Sequence, residues 1–395
     1  MREARAATPI DVYVIGDDPV RPWNICQQER LRRILAKADV PVRFQPDAPD
    51  GATERNVIVN RGDWVFEERV VRALVHRDGV ILTARGAEGR EVPVAAHVPG
   101  ALARAAYDCV AAGDLGPCSG LTEISCVDPE TLCGYYNDAL RKRAAPYVLP
   151  LVPGRREAVE ERMFAASYKG VTDVVTKYLW PWPALRATRL AARLGLTPNM
   201  VTTASFVMVL VATYAFWTGA FWWGLAAAYV MVFLDTVDGK LARVTVTSSR
   251  WGNVFDHGID LIHPPFWYWA WWAGTVATAG AVSGSMAAWL DIALAINVIG
   301  YVVGRLIEGL FIRLFGFEMH VWQPIDSKMR EITARRNPNL LLLTAGLLAG
   351  DPATGFLAVA VWTVVCTLFH AVRLVQAIAL RAGRKEIESW MAQPA

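Results

Sequence analysis

The chain has 395 residues, of which 54% are hydrophobic and 19% are charged, and its net charge is +3. This charge is too small to indicate a nucleic-acid partner, and no basic stripe with interleaved aromatic residues is present. A chain rich in both apolar and charged residues must segregate them. Most of the charge lies in the first half, and apolar stretches of membrane length begin at Val201. We therefore expect a soluble head followed by a membrane domain.

The six cysteines lack the CxxC spacing that is typical of metal sites and redox motifs. The first residues, Met1 to Thr8, lack the apolar core of a signal peptide. We therefore expect the head to remain in a reducing cytoplasm with its thiols free. The cysteines are Cys26, Cys109, Cys118, Cys126, Cys133 and Cys366.

Residues 1–136 are predicted to form a soluble α/β domain, because short β-rich runs alternate with helical stretches. The predicted helices cover Gln27 to Ala38 and Val65 to Val75. The stretch from Ala112 to Cys133 lacks clear periodicity and is expected to end or decorate this domain. The predicted strands are Asp11 to Ile15, Asn56 to Val59, Gly79 to Thr83 and Val92 to His97.

Residues 137–196 are interpreted as a helical connector that ends in a juxtamembrane amphipathic helix. Between Lys177 and Leu194, aromatic and aliphatic residues interleave with arginines, a pattern typical of a helix in the membrane interface. Two prolines, Pro181 and Pro183, are expected to confine this helix to the part after Pro183. Thr197, followed by a proline, then marks the start of the membrane domain.

Residues 197–395 are predicted to form an all-α domain with six membrane-spanning helices, since a span needs about 20 apolar residues. Lysines and arginines cluster at one set of span ends, whereas the opposite turns, including Gly274 to Met286, contain none. The positive-inside rule therefore predicts a multi-pass protein of the bacterial inner-membrane type with cytoplasmic termini and active site. The fifth span is the shortest. The predicted spans are about Val201 to Ala220, Trp222 to Leu241, Phe255 to Thr275, Ala287 to Phe311, Leu340 to Leu348 with flanks, and Phe356 to Ile378.

Four aspartates lie at the end of the second predicted span and the start of the third. Asp235 and Asp238 are three residues apart, and Asp256 and Asp260 are four apart, so each pair shares one helix face. One aspartate at the centre of a membrane helix costs about 2.5 to 3.5 kcal/mol, so the cluster requires compensating positive charge. Such oxygen ligands suit Mg²⁺ or Mn²⁺, and two ions could steady the attacking and leaving oxygens of a displacement at phosphorus.

Small residues accompany these aspartates. Gly239, Ala242 and Gly252 leave room for a nucleotide to approach the helix backbones. Arg243 could bind a phosphate through charge-assisted hydrogen bonds.

Together these positions resemble the motif of the CDP-alcohol phosphotransferases, D-x2-D-G-x2-A-R-x8-G-x3-D-x3-D, and all eight fixed residues are present. The resemblance implies a six-helix membrane domain, preceded by an amphipathic helix, that is a homodimer by default. It also implies transfer of a substituted phosphate from a CDP-linked donor to an alcohol, with release of CMP, in phospholipid biosynthesis. The donor could be CDP-diacylglycerol, or a soluble CDP-alcohol whose acceptor is a lipid hydroxyl.

The resemblance also implies roles for individual residues. Asp235, Asp238 and Asp256 would be metal ligands, and Asp260 would complete the metal site and act as the base. His257 is the alternative base. The sequence around Asp256 resembles the motif of the choline and ethanolamine phosphotransferases, in which a histidine at this position is a candidate base. The CDP part would be held by Gly239, Ala242, Arg243 and Gly252.

Further basic residues are candidates for binding the acceptor. Arg305 lies three residues before Glu308 in the fourth predicted span, and the two could form either an acceptor site or a structural ion pair. Arg335 and Arg336, with Arg330, could meet a phosphorylated acceptor or anionic lipid headgroups.

The head is more ambiguous than the membrane domain. The stretch from Val14 to Trp23 weakly resembles sugar-nucleotide or inositol-phosphate nucleotidyltransferases, with Asp63 as a possible metal ligand. Because its loop has only one glycine, Gly16, we expect a degenerate domain. For the whole chain, a rival interpretation is a transporter or scaffold that uses the acidic cluster only to bind an ion, although no internal repeat supports a transporter.

Overall fold

The computed structural model describes residues 9–38, 40–86, 88–116, 118, 124–278 and 284–392. The chain divides into two compact units. The N-terminal unit comprises Met1–Tyr168 with Arg243–Thr247, and the C-terminal unit comprises Lys169–Ala242 with Ser248–Ala395. The predicted features at Met1 to Thr8 and at part of the Gly274 to Met286 turn lie outside the described residues.

The N-terminal unit is an α/β structure built on a mixed sheet of six strands in the order β2-β1-β3-β6-β5-β7. Strand β1 pairs in parallel with β2 and β3, whereas β6 pairs antiparallel to β3 and β5. The strands are β1 (Ile10–Ile15), β2 (Val42–Phe44), β3 (Val57–Arg61), β4 (Trp64–Phe66), β5 (Val80–Arg85), β6 (Glu91–Val98), β7 (Ser125–Val127), β8 (Tyr136–Asn137), β9 (Lys142–Arg143) and β10 (Val148–Pro150). The helices are α1 (Gln27–Leu35), α2 (Glu68–Val75), α3 (Ala103–Ala112), α4 (Pro129–Cys133) and α5 (Arg156–Ala166).

All four predicted strands are present, because their runs of β-branched residues are buried on the sheet. The predicted helix from Val65 to Val75 is wrong at its start. Trp64–Phe66 is a strand that pairs antiparallel with Val148–Pro150. A partner about 80 residues away decides this conformation, so local pattern could not reveal it.

The predicted connector divides between the two units. Residues 137–168 belong to the N-terminal unit, where β8 and β9 form a hairpin and β10 pairs with β4. Helix α5 follows, and its inward side buries Val159, Met163 and Phe164. The remainder of the connector begins the C-terminal unit.

The expectation that every thiol is free is wrong for one pair. Cys109 and Cys118 form a disulfide, with their Cα atoms 5.3 Å apart. Helix α3 ends at Gly113, whose φ of +64° turns the chain back toward the helix. Spacing alone could not show that this turn joins the two cysteines. The other four cysteines are free.

The C-terminal unit is helical. Its amphipathic helix, α6, begins at Pro181 rather than after Pro183, because proline is tolerated in the first turn. Thr197 caps the next helix, and its side chain accepts a hydrogen bond from the Met200 amide. The helices are α6 (Pro181–Arg193), α7 (Pro198–Trp217), α8 (Phe221–Val244), α9 (Arg250–Thr278), α10 (Gly284–Phe315), α11 (Pro324–Ile332), α12 (Arg336–Leu348) and α13 (Pro352–Ala382).

Within the described part of the chain, three helices are long and apolar enough to cross a membrane: Pro198–Trp217, Ser285–Phe315 and Pro352–Ala382. The prediction of six spans is not matched by this count. Two of the other helices, α8 and α9, carry the charged motif, and α12 has only 13 residues. The chain is thus a membrane protein with at least these three apolar helices.

Aromatic packing fixes α9 against α7 and α8. Phe216 lies 5.8 Å from Trp267 and 5.0 Å from Trp271, and Phe221 lies 4.6 Å from Trp271, measured between ring centroids. Gly274 allows this close approach, because a Cβ there would overlap the Phe216 carbonyl oxygen. This packing lies at the end of α7, the start of α8 and the second half of α9, whereas the aspartates lie toward the opposite ends of α8 and α9.

Candidate active site

Three of the four aspartates converge. Asp235 and Asp238 lie on the last turns of α8, and Asp256 lies near the start of α9. One carboxylate oxygen from each lies within 4.8 Å of the others. Asp238 is buried, with 4% of its surface exposed, while Asp235 and Asp256 are half-buried. The spacing of three within α8 is what places the first two on one face.

A threonine from a neighbouring helix orients the most buried carboxylate. The Thr202 hydroxyl, on α7, donates a hydrogen bond of 2.6 Å to Asp238 Oδ2. The same hydroxyl, which has a single proton to donate, also lies 3.0 Å from the Pro198 carbonyl oxygen one turn earlier in α7. Thr202 is therefore a further candidate site residue, which the spacing of the motif did not indicate. The only signal was a hydroxyl among the apolar residues of α7, and such residues are common in membrane helices.

The fourth aspartate is held by an arginine. Asp260 accepts two hydrogen bonds from Arg336, at 2.6 Å from Nη1 and 2.7 Å from Nη2. Nη2 also lies 3.2 Å from Asp235 Oδ2. This fork geometry is the strong, bidentate form of a guanidinium–carboxylate pair. Arg336, which we expected to meet the acceptor, thus belongs with the carboxylate cluster.

The donor set fits a hard divalent cation. Three carboxylates supply oxygen ligands from two helices, which is the chemistry that Mg²⁺ and Mn²⁺ select. Counted together, the four aspartates and Arg336 carry a net charge of −3, since four negative charges meet one positive charge. Burying this charge without further cations would be costly.

The alternative base lies at the edge of the cluster. His257 follows Asp256 on α9, and 75% of its side chain is exposed. Its Nδ1 lies 3.7 Å from Asp256 Oδ2, beyond hydrogen-bond distance.

The residues predicted to hold the nucleotide lie on the same helices. Gly239 and Ala242 follow the first two aspartates on α8. Gly252 lies in the first turn of α9, where a Cβ would come within 2.8 Å of Asn199 Oδ1. Arg243 is in the segment that belongs to the N-terminal unit, and its Nη1 donates to the Ser167 carbonyl oxygen at 3.3 Å.

A second polar cluster surrounds Glu308 on α10. Its carboxylate accepts from Arg305 at 3.1 Å and from Arg335 at 2.5 Å, and lies 3.3 Å from His320 Nε2. Arg305, Glu308, Arg335 and His370 border a cavity of about 30 Å³. Glu308, His320 and His370 have ligand atoms close enough for a metal, but two guanidinium groups already neutralise the carboxylate. The cluster therefore fits an anion better than a cation.

Burial holds His320 neutral, and we expect this to make folding sensitive to acid. Desolvation, together with repulsion from Arg335 and Arg330, lowers the pKa of His320 to about 3, although Glu308 raises it. The unfolded chain would bind this proton from about pH 6.5 downward, so stability falls as the pH drops from 6.5 toward 3.

At pH 5.5, one unit below the ordinary value, this residue should cost about 1.4 kcal/mol relative to neutral pH. The unfolding temperature of the detergent-solubilised chain should therefore fall between pH 7.5 and 5.5 by less in His320→Gln than in the wild type. Equal falls in both proteins would contradict this expectation.

Comparisons with known proteins agree with the motif. Residues 195–319 match the family model described as CDP-alcohol phosphatidyltransferase. Cholinephosphotransferase 1 of Xenopus laevis is 31% identical over 136 residues, which cover 32% of this chain and 33% of that protein. The archaetidylinositol phosphate synthase of Pyrococcus horikoshii is 39% identical over 79 residues, covering 20% of this chain and 42% of that protein. The matches thus span well under half of the length of these relatives.

Among solved structures, a phosphatidylinositol phosphate synthase of Mycobacterium tuberculosis, in complex with manganese and citrate, aligns with a TM-score of 0.38 at 19% identity. It covers 49% of this chain and 88% of that one. The sequence match contains all four aspartates, whereas Arg335 and Arg336 lie beyond it. By the match of the family model, residues 195–319 are similar to the CDP-alcohol phosphatidyltransferases.

Proposed function

We propose that this chain is a membrane enzyme of phospholipid biosynthesis that transfers a substituted phosphate from a CDP-linked donor to an alcohol hydroxyl and releases CMP. The observation that carries the proposal is the convergence of Asp235, Asp238 and Asp256 within the segment that matches the family. A rival role as an ion-binding scaffold or transporter leaves Gly239, Ala242 and Gly252 beside the carboxylates without a purpose.

Each residue of the cluster has a defined task in this proposal. Two Mg²⁺ or Mn²⁺ ions would offset the net charge of −3 and neutralise the pyrophosphate oxygens of the donor. Asp235, Asp238 and Asp256 would hold the ions, with Asp238 aimed by Thr202. Asp260, oriented by Arg336, would take the proton of the acceptor hydroxyl. Its oxygens each have a second lone pair, so accepting from Arg336 leaves room for this proton.

The reaction can be tested with two donor classes, chosen because the relatives carry the names of both kinds of enzyme. In one arm the purified chain receives CDP-diacylglycerol with inositol phosphate or glycerol phosphate. In the other it receives CDP-choline with diacylglycerol. We expect CMP in one arm, dependent on Mg²⁺ or Mn²⁺ and lost in EDTA. If the chain binds manganese but releases no CMP in either arm, the rival role as an ion-binding scaffold or transporter would be favoured.

We propose Asp260 rather than His257 as the base. Asp260→Asn should lower turnover by about 10² to 10⁴-fold, the usual contribution of general base catalysis, while His257→Ala should stay within about tenfold of the wild type. The exposed position of His257 supports this order. Near-normal turnover of Asp260→Asn, measured as CMP release at saturating donor, would overturn the assignment.

The acceptor is proposed to carry a phosphate, bound near Arg305 and Arg335. These two guanidinium groups face one carboxylate, Glu308, so this cluster keeps one net positive charge. Lipid headgroups remain the alternative for Arg330.

We also propose six spans with both termini and the active site on the cytoplasmic side, and a homodimer, on the basis of charge distribution and family resemblance.

The head is proposed to be a degenerate nucleotidyltransferase-like domain. Asp63, its possible metal ligand, is already paired with Arg61 through two hydrogen bonds of 2.9 and 2.7 Å. Gly16 is the single glycine of the first loop. The chain incubated with CTP and phosphorylated alcohols should release no pyrophosphate. Release that survives Asp235→Asn would show an active head.

A further inference from the structure

The N-terminal unit contains a cavity that the proposed reaction does not use. It has a volume of about 330 Å³, within the range of small-molecule sites. Its walls come from α1, α2, the β8–β9 hairpin, the end of α5 and the segment Arg243–Thr247, all of which belong to this unit. Polar residues, including Asn137, Tyr147 and Ser167, alternate with apolar ones such as Leu140 and Met163.

The arginines of this cavity differ in whether a carboxylate neutralises their charge. Arg69 pairs with Glu67 at 2.8 Å and donates to the Ala144 carbonyl oxygen at 2.6 Å. Arg72 pairs with Glu68 one helical turn away. Glu67 and Glu68 are therefore already engaged, and the third acidic residue of the wall, Asp138, accepts a hydrogen bond of 2.7 Å from the Ala139 amide. The Glu67 carboxylate also accepts from the Tyr147 amide at 3.0 Å.

Arg30, in contrast, contacts no carboxylate among the hydrogen bonds and ion pairs of the described residues. It is 5% exposed, and its Nη1 donates to the Val244 carbonyl oxygen at 2.5 Å. Its Nε is buried without a hydrogen-bond partner in the described structure. A buried guanidinium with an unused donor is costly unless an anion meets it.

A lysine beside the cavity experiences the same excess of positive charge. Lys142, on β9, donates to the carbonyl oxygen of Ala166, which lines the cavity. Burial lowers the pKa of Lys142 to about 8; Glu67 raises this pKa, and repulsion from Arg162, Arg69 and Arg243 lowers it. A bound anion would relieve this repulsion.

We propose that this cavity binds a small phosphate monoester, with its phosphate on Arg30 and its organic part against Tyr147, Leu140 and Met163. A guanidinium edge is suited to phosphate oxygens. The wall carries four arginines and three acidic residues, a net charge of +1, and the neighbouring Lys142 adds a second positive charge, which together match the charge of a single phosphate group. A nucleoside triphosphate would bring about four negative charges and would need more cations than this wall supplies.

The test uses the full chain in detergent with glycerol 3-phosphate as the probe, and glycerol and CTP as comparison ligands. Hydrogen exchange reports the position of binding, since the same ester could also reach the membrane site as an acceptor. We expect saturable protection of residues 27–35 and 137–147 by glycerol 3-phosphate. Glycerol and CTP should give no protection there.

Three variants sharpen the result. In Arg30→Gln, the concentration of glycerol 3-phosphate needed for half-maximal protection should rise at least tenfold. Arg72→Gln, which removes a cavity arginine already paired with Glu68, should leave this concentration unchanged. If Arg30→Gln does not fold, Leu140→Trp fills the cavity without changing its charge and should abolish protection. Absence of saturable protection in the wild type would overturn the proposal, as would equal protection in folded Arg30→Gln or Leu140→Trp.

Discussion

Asp235→Asn is expected to lower CMP release on the order of 10³-fold. This aspartate contributes to the group of three carboxylates and also lies 3.2 Å from Arg336, so it lies between the two parts of the cluster. Replacing one anionic ligand should cost about 4 kcal/mol of transition-state stabilisation, which corresponds to that factor. The concentration of Mn²⁺ needed for half-maximal activity should rise as well.

Asp291→Asn provides the matched control for this experiment. Asp291 is an aspartate on α10 that accepts a hydrogen bond of 3.0 Å from Trp272 Nε1, outside the carboxylate cluster. Its replacement should leave CMP release within about twofold, as for a surface substitution with little effect on stability. More than a tenth of wild-type turnover in Asp235→Asn would contradict a metal-ligand role.

Arg336→Gln is expected to reduce both turnover and stability, with the loss of stability dependent on divalent ions. Arg336 is the cation that offsets Asp260 and Asp235 within the chain. Its removal should cost about 3 kcal/mol in EDTA, as when one partner of a buried pair is lost. Mg²⁺ should recover part of this cost by supplying the missing positive charge. Thermal unfolding in EDTA and in Mg²⁺ measures the difference.

A second buried pair in the same unit separates this effect from general destabilisation. Arg373 on α13 forms an equivalent fork with Asp326, at 2.6 and 2.8 Å, away from the carboxylate cluster. Arg373→Gln should lower the unfolding temperature equally in EDTA and in Mg²⁺. Arg336→Lys should restore charge without the fork and give intermediate turnover. A loss in Arg336→Gln that is the same in both conditions would contradict the assignment.

In the N-terminal unit, the local sequence pattern predicts some structural features and misses others. The alternation of β-branched and helical runs predicted an α/β structure with four of its strands, since each buried strand carries its own apolar signal. The strand Trp64–Phe66 and the disulfide Cys109–Cys118 were not predicted. Both depend on a partner brought near by the fold.

For the site, the sequence by itself indicated the kind of chemistry that we propose. The spacing of Asp235, Asp238, Asp256 and Asp260 is a local property of two helices, and the surrounding apolar segments make charge at these positions too costly to be incidental. The motif therefore indicated both the ligands and the family from residues close together in the chain.

Only the tertiary structure decided how these carboxylates are held. Thr202 and Arg336 reach Asp238 and Asp260 from other helices, 36 and 76 residues away in the chain. The same is true of Arg335, which joins Glu308 across 27 residues. Hydrogen bonds between helices depend on how the helices pack, and packing is set by complementary shapes that no spacing within one helix encodes.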